Sequence, residues 1–265
     1  MKNQLSINPK QEKKKIVEFL KRTFKEQKIE KVVFGLSEGV DSTVILYLLK
    51  EALPAENIFA VQMDYNPRKK SDIDLKEINI VNVSIKSIVD QFIVEGSIPK
   101  FFDGKQKTAK NLVSSPFLDK ILLGNIIARI RMIILFDLAK KLNALVCGTE
   151  NKSERLLGYF TRFGDSASDI EPTAHLYKTQ IYQLAKYLNI PEKIINQPPT
   201  AGLWDGQTDE GEFGFTYREA DQVLHLYFDQ KKSLNEIKKL RFKNTDKIIK
   251  RLLNYQFKLK TPYHL

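Results

Sequence analysis

Apolar residues recur at helical spacing in Ile16, Phe19, Leu20 and Phe24, which predicts an amphipathic helix over 11–28. Lys31, Val32, Val33, Phe34, Gly35 and Leu36 then form a short β-rich run between charge and glycine, the pattern of a buried strand. Helical spacing returns over 42–52, where Val44, Ile45, Leu48 and Leu49 share one side. Further strands are predicted at 57–63, 79–85 and 144–147, and a long, mostly apolar helix at 117–142. Helices follow near 178–189, 217–229, 233–240 and 245–254. Between them, 159–176 is rich in Gly, Ser, Asp and Thr and weakly periodic, so it is expected to be a mobile loop. Residues 198–199 and 202–214 read as a long connector, and only about two helical turns fit within 69–76.

Strands alternating with helices predict an α/β fold: a doubly wound parallel sheet flanked by helices, with a helical C-terminal part, all in one domain over 1–265. Such sheets bind ligands beyond the C-terminal ends of their strands. The loops after Leu36, Met63 and Cys147 should therefore converge on one site.

Composition narrows the setting. The 43 Lys and Arg against 32 Asp and Glu give a net charge of +11, which suits RNA, a membrane surface or an anionic small molecule, and equally a plain soluble surface. The one cysteine, Cys147, ends an apolar run and allows no intramolecular disulfide, which fits a reducing compartment. The start of the chain lacks a leader's apolar stretch, and Asn125, Arg129, Arg131 and Asp137 interrupt the most apolar helix. A cytoplasmic protein without a membrane span is expected. His175, His225 and His264 are scattered and predict no zinc site.

The sharpest local signal is Gly35, Leu36, Ser37, Glu38, Gly39, Val40, Asp41 and Ser42, placed between a strand and a helix. Backbone N–H groups at a helix start make an anion site, and a nearby glycine lets a phosphate approach closely. Ser37 and Ser42 add hydroxyl donors, and Asp41 can hold a divalent cation bridging phosphates. Read alone, the segment could equally be a helix cap after a glycine turn. Arg129 and Arg131 add to the case, because two arginines inside an apolar helix are costly unless paired or aimed at an anion.

The loop resembles the phosphate loop of the ATP pyrophosphatases. Several further motifs, in order, resemble those of the NAD synthetase family: 123–132 with Asn125 and Arg129, 148–154 with Thr149 and Glu154, 158–165, 178–180 and 199–210. The resemblance runs from about Val33 to Tyr217 and more weakly to the end. It implies ATP-dependent amidation of deamido-NAD by ammonia through a carboxyl-adenylate, with AMP and pyrophosphate released. It implies ATP contacts at 35–42, Thr149, Lys178 and Thr200, Mg²⁺ on Asp41 and Glu154, and deamido-NAD contacts at Asn125, Arg129, Arg162, Asp169, Phe257 and Lys258. Lys178 and Mg²⁺ would stabilise the transition state, with no covalent nucleophile. A homodimer is implied, and the chain length leaves no room for a glutamine-hydrolysing domain. No nucleic-acid or membrane partner is expected.

Four positions depart from that pattern. Glu38 stands where the family has glycine, Asp64 where it usually has proline, Arg162 where it usually has lysine, and Phe257 where it usually has histidine. The Glu38 side chain is expected to point to solvent; the other readings are a Mg²⁺ contact or a crippled phosphate site. The rivals are therefore an RNA-modifying ATP pyrophosphatase and a nucleotide-binding relative disabled at Glu38.

Overall fold

A computed structural model describes residues 5–65, 73, 75–96, 116–200, 202 and 206–263. Its first helix, α1 (Pro9–Gln27), begins two residues before the predicted start. The Asn8 side chain accepts from Gln11 N at 3.2 Å and Pro9 sits where its missing N–H costs nothing. The buried face is Ile16, Val17, Leu20 and Phe24, close to the apolar stripe that the spacing predicts.

Four parallel strands form the sheet: β1 (Lys31–Gly35), β2 (Ile58–Asp64), β3 (Asn79–Ser84) and β4 (Ala144–Cys147). Their order is β3-β2-β1-β4, with Val32 paired to both Ile58 and Leu145. Side chains alternate between faces. Val32, Phe34, Ile58 and Ala60 enter one core, with α1, α2 (Val40–Ala52) and α6 (Lys178–Tyr187). Val33, Phe59, Val61 and Val146 enter the other, under α4 (Pro116–Leu142), with Val89 of α3 (Lys86–Gly96). From β1 the chain winds outward to β3, then returns across α4 to place β4 on the other side of β1. The β1/β4 boundary is thus a topological switch point, where the strand ends open a crevice.

A third core joins Leu156 and Leu157 of α5 (Lys152–Leu157) to Tyr177 and the C-terminal helices. After the short α7 (Glu192–Ile195), these are α8 (Asp209–Phe213), α9 (Tyr217–Leu224), α10 (Leu234–Lys239) and α11 (Thr245–Tyr255).

Three expectations change. The 202–214 connector contains α8, which Thr208 caps by accepting from Gly211 N at 3.2 Å. The helix expected over 217–229 ends at Leu224 and continues as a wider π-turn, His225–Asp229. There Asp229 accepts from Tyr177 Oη at 2.8 Å and Lys152 Nζ at 2.6 Å, so polar partners shape this turn. The 159–176 segment is tied to the sheet rather than free. Val146 N donates to Asp169 Oδ2 at 2.8 Å, and Gly148 N to Ile170 O at 2.8 Å. It supplies partners that the edge strand β4 would otherwise lack. The helix expected at 69–76 falls on residues of which only Ile73, Leu75 and Lys76 are described.

One glycine lets α5 and α11 close up within the third core. Gly158 has φ +63° at the C-cap of α5, and a Cβ there would run into the Tyr255 side chain of α11. Gly158→Ala is expected to destabilise the fold by about 1–3 kcal/mol. A urea titration showing an unchanged midpoint would remove this contact as a constraint.

Candidate active site

A cavity of about 570 Å³ opens at the C-terminal ends of β1 and β4. Gly35, Leu36, Ser37, Gly39, Val40, Asp41 and Ser42 line one side. The predicted glycine loop is thus the turn from β1 into α2. Ser37 Oγ lies 3.1 Å from Ser42 Oγ and accepts from Gly39 N at 3.3 Å, which folds the loop around the first turn of α2. Backbone N–H groups at that helix start supply partial positive charge toward a bound phosphate.

Glu38 does not line this cavity. Its φ is +64°, the left-handed region that glycine occupies most readily. The carboxylate turns away and accepts from Gln62 Nε2 on β2 at 2.8 Å, with Gln62 buried. The expected solvent-facing side chain is therefore corrected: Glu38 is half-buried and held against the sheet.

The charged centre of the site is Lys178. Its Nζ lies 2.6 Å from Asp41 Oδ2 and 3.1 Å from Glu154 Oε1. Burial works against its charge, but Asp41, Glu154 and Asp209 together hold its pKa well above the ordinary range. It is an ammonium at neutral pH. Asn151 touches both carboxylates: its Nδ2 donates to Asp41 Oδ1 at 3.0 Å and its backbone N–H to Glu154 Oε2 at 3.4 Å, while its Oδ1 accepts from Glu154 N at 3.1 Å. The Asn151 and Glu154 pair is a reciprocal helix cap, so the start of α5 sets Glu154 into the cavity wall. Asp209, also buried, accepts from Tyr217 Oη at 2.9 Å through Oδ2, while Oδ1 has no partner among the described residues.

Of the other sequence-predicted residues, Thr149, Thr200, Asn125 and Lys258 line the cavity. Arg162, Asp169 and Phe257 do not. Asp169 is spent on Val146 N, and the Arg162 guanidinium lies 5.4 Å from the Phe257 ring. The two arginines of α4 separate. Arg131 lines the cavity, whereas Arg129 is exposed and donates from Nε to Arg162 O at 3.3 Å. Residues two apart on a helix point roughly 200° from each other, so both could not face one site. Sequence reasoning missed Asn151, Asp209 and Arg251. The Asn-x-x-Glu capping pattern could have found the first, Asp209 lies within the 199–210 motif, and Arg251 carries no local signal.

A parallel sheet with a glycine loop, a helix start and a buried lysine–carboxylate cluster at its switch point defines a nucleotide-binding α/β enzyme. The NAD synthase family profile matches residues 12–262. An NH(3)-dependent NAD(+) synthetase of Fusobacterium nucleatum is 38% identical over 262 residues, covering 98% of this chain and 97% of that protein. One from Methanocaldococcus jannaschii is 40% identical over 225 residues, covering 85% and 83%. Among solved structures, an NMN synthetase from Francisella tularensis superposes with a TM-score of 0.77 at 30% identity, covering 98% of this chain and 99% of that one. An NH3-dependent NAD synthetase from Campylobacter jejuni superposes with a TM-score of 0.73 at 31% identity, covering 98% and 100%. The chain belongs to the NAD synthase family.

Two outcomes test this site. Gln62→Leu removes one donor that holds the Glu38 carboxylate away from the turn between β1 and α2. Losing one such bond is worth about 1 kcal/mol, so the KM for ATP should rise roughly fivefold with kcat unchanged; a KM equal to wild type would show that the bond does not place the loop. Glu150 is 7% exposed, its Oε1 lacks a partner among the described residues, and burial raises its pKa to about 9. Its folded pKa lies above the ordinary carboxylate range, so the folded state binds the extra proton from that range up to about pH 9. The stability it contributes is full at low pH and declines as pH rises through that window. Glu150→Gln should therefore gain in Tm relative to wild type between pH 6 and pH 9, and parallel Tm curves would contradict a neutral carboxyl here.

Proposed function

We propose that this protein amidates deamido-NAD to NAD with ammonia, consuming ATP through a carboxyl-adenylate and releasing AMP and pyrophosphate. The observation that carries the proposal is the buried Lys178 ammonium between Asp41 and Glu154, beside a serine-lined glycine loop. A carboxylate repels nucleophiles, and transfer of AMP onto it creates an anhydride with a good leaving group. The developing charge on pyrophosphate would meet the N–H groups at the start of α2, Ser37, Ser42 and Lys178. Thr149 and Thr200 would contact ATP. Asn125, with Thr161 Oγ1 donating to its Oδ1 at 2.8 Å, and Lys258 would contact the acceptor nucleotide. No side chain need form a covalent bond, because holding two nucleotides in register supplies much of the rate.

The donor set suits Mg²⁺. Among the described residues no three metal-ligating side chains converge, and Mg²⁺ is commonly held by one or two carboxylates plus substrate phosphates. Asp41 and Glu154 would hold it, with Lys178 yielding part of the space between them. When bound, it supplies positive charge to the phosphates.

The same proposal includes one NAD synthase domain over 1–265, a cytoplasmic setting consistent with a single buried cysteine, and a homodimer. Exposed Leu122 and Ile133 on α4 support the dimer, since water-facing apolar side chains on a long helix gain from being covered. Among the described residues no helix is long and apolar enough to cross a membrane. Arg129, Arg162, Asp169 and Phe257, which the cavity does not include, would contact substrate only if a second copy completes the site.

The test is turnover. Purified protein with deamido-NAD, Mg-ATP and ammonium should form NAD in step with AMP, and only with ammonium present. The Francisella protein's name points to a mononucleotide instead, so nicotinate mononucleotide is run in parallel. Turnover of the mononucleotide alone would replace deamido-NAD as the acceptor, and AMP release without amide product from either would overturn the reading.

A further inference from the structure

Two cations from the C-terminal part of the chain line the cavity without a carboxylate in ion-pair reach among the described residues. Arg251 of α11 is half-buried. Its Nε donates to Leu157 O at 3.0 Å. Its guanidinium carbon lies 4.6 Å from the Phe213 ring, 5.0 Å from Tyr255 and 5.7 Å from Tyr159. Lys258 Nζ donates to Gly158 O and Phe160 O, both at 2.7 Å, and lies 5.0 Å from the Phe160 and Tyr255 rings. The two positive charges thus share Tyr255 as a neighbour, and their hydrogen bonds go to neutral carbonyls.

That arrangement is electrostatically incomplete. Carbonyl dipoles and ring faces offset part of the cost of desolvating a cation, but a second cation nearby adds repulsion. Asp165 and Glu150 attract Lys258 only at longer range, and Glu212 does the same for Arg251. Burial lowers the pKa of both groups. A guanidinium has five N–H donors, of which the bond to Leu157 O uses one. The rest form a planar fork that fits a carboxylate or a phosphate.

We propose that Arg251, beside Lys258, forms an aromatic-walled subsite that binds an anionic oxygen group of the acceptor nucleotide. The proposal rests on the pyridine-nucleotide reading above. Phe213, Tyr255 and Tyr159 keep water from one side of the guanidinium, which strengthens its pull on an anion. Both cations also hold the carbonyls of 157–160, so a bound anion and the turn after α5 would be fixed by the same two side chains. Arg251 binds the acceptor and takes no part in bond making.

The plain alternative is that Arg251 only caps the end of α5. Binding separates the two. Wild type, Arg251→Met and Arg251→Lys are titrated by calorimetry, without ATP, with deamido-NAD, nicotinate mononucleotide and NAD, and their melting temperatures and KM values are measured. Arg251→Met is expected to weaken binding of the acid acceptor by at least about tenfold and raise its KM in step. The KM for ATP should stay within about twofold, and Arg251→Lys should recover part of the loss. A loss for deamido-NAD and NAD alike supports the subsite with a phosphate in it, and a loss confined to the acid forms supports it with the carboxylate. Wild-type affinity in Arg251→Met, with only a lowered melting temperature, overturns the subsite and leaves a helix cap. If wild type binds none of the three nucleotides, the functional reading fails and the subsite fails with it.

Discussion

The rest of the site depends on one buried charge. Lys178 stands at the first turn of α6, and its ammonium reaches back to Asp41 on the first turn of α2 and to Glu154 in α5. An amine withdrawn from water persists as a cation only if carboxylates stay beside it, and loss of one partner from such a cluster costs about 3–5 kcal/mol. Three helices following three different stretches of the chain are therefore fixed at one point. Asn151 tightens the same knot, since one side chain both caps α5 and donates to Asp41.

Around that point the fold divides its labour. The two cores on the sheet faces make the β1/β4 crevice rigid, because the central strand is buried on both sides by apolar helices. The third core does something else. It brings α8 and α11 to the cavity wall, where Asp209 and Arg251 line it, and α9 behind them, where Tyr217 donates to Asp209. Tyr177 belongs to that core and immediately precedes Lys178. Ser153 and Asp221 add a second tie: Asp221 accepts from Ser153 Oγ at 2.5 Å and from Thr179 N at 2.9 Å, joining α5, α6 and α9 beneath the lysine. The C-terminal wall of the cavity is thus mechanically linked to the wall that Lys178 and α5 form.

Glu38 shows how a site absorbs an unfavourable substitution. A carboxylate beside a phosphate cradle would repel the ligand, and a side chain at positive φ costs strain. Both problems share one remedy in this chain. The backbone turn that a glycine would take points the carboxylate at Gln62, a buried polar residue in the C-terminal half of β2. Glu38 thus stays out of the cavity lining that its neighbours Ser37 and Gly39 form.

The sequence by itself determined the four strands, the parallel sheet and the helices α1, α2, α4, α6, α9, α10 and α11, and it marked the glycine-rich turn after β1 as the candidate phosphate loop. These follow from periodicity and from residues adjacent in the chain, where local spacing dictates which side chains share a face. It also marked Asp41, Thr149, Glu154 and Lys178, because the motifs that carry them are contiguous. Only the tertiary structure decided which arginine of α4 enters the cavity, where Glu38 turns, and that the 159–176 segment is bound to β4. It alone placed Asp209 and Arg251 at the site. Those outcomes depend on contacts between residues far apart in sequence, such as the 94-residue separation from Arg251 to Leu157, and no local pattern encodes such a distance.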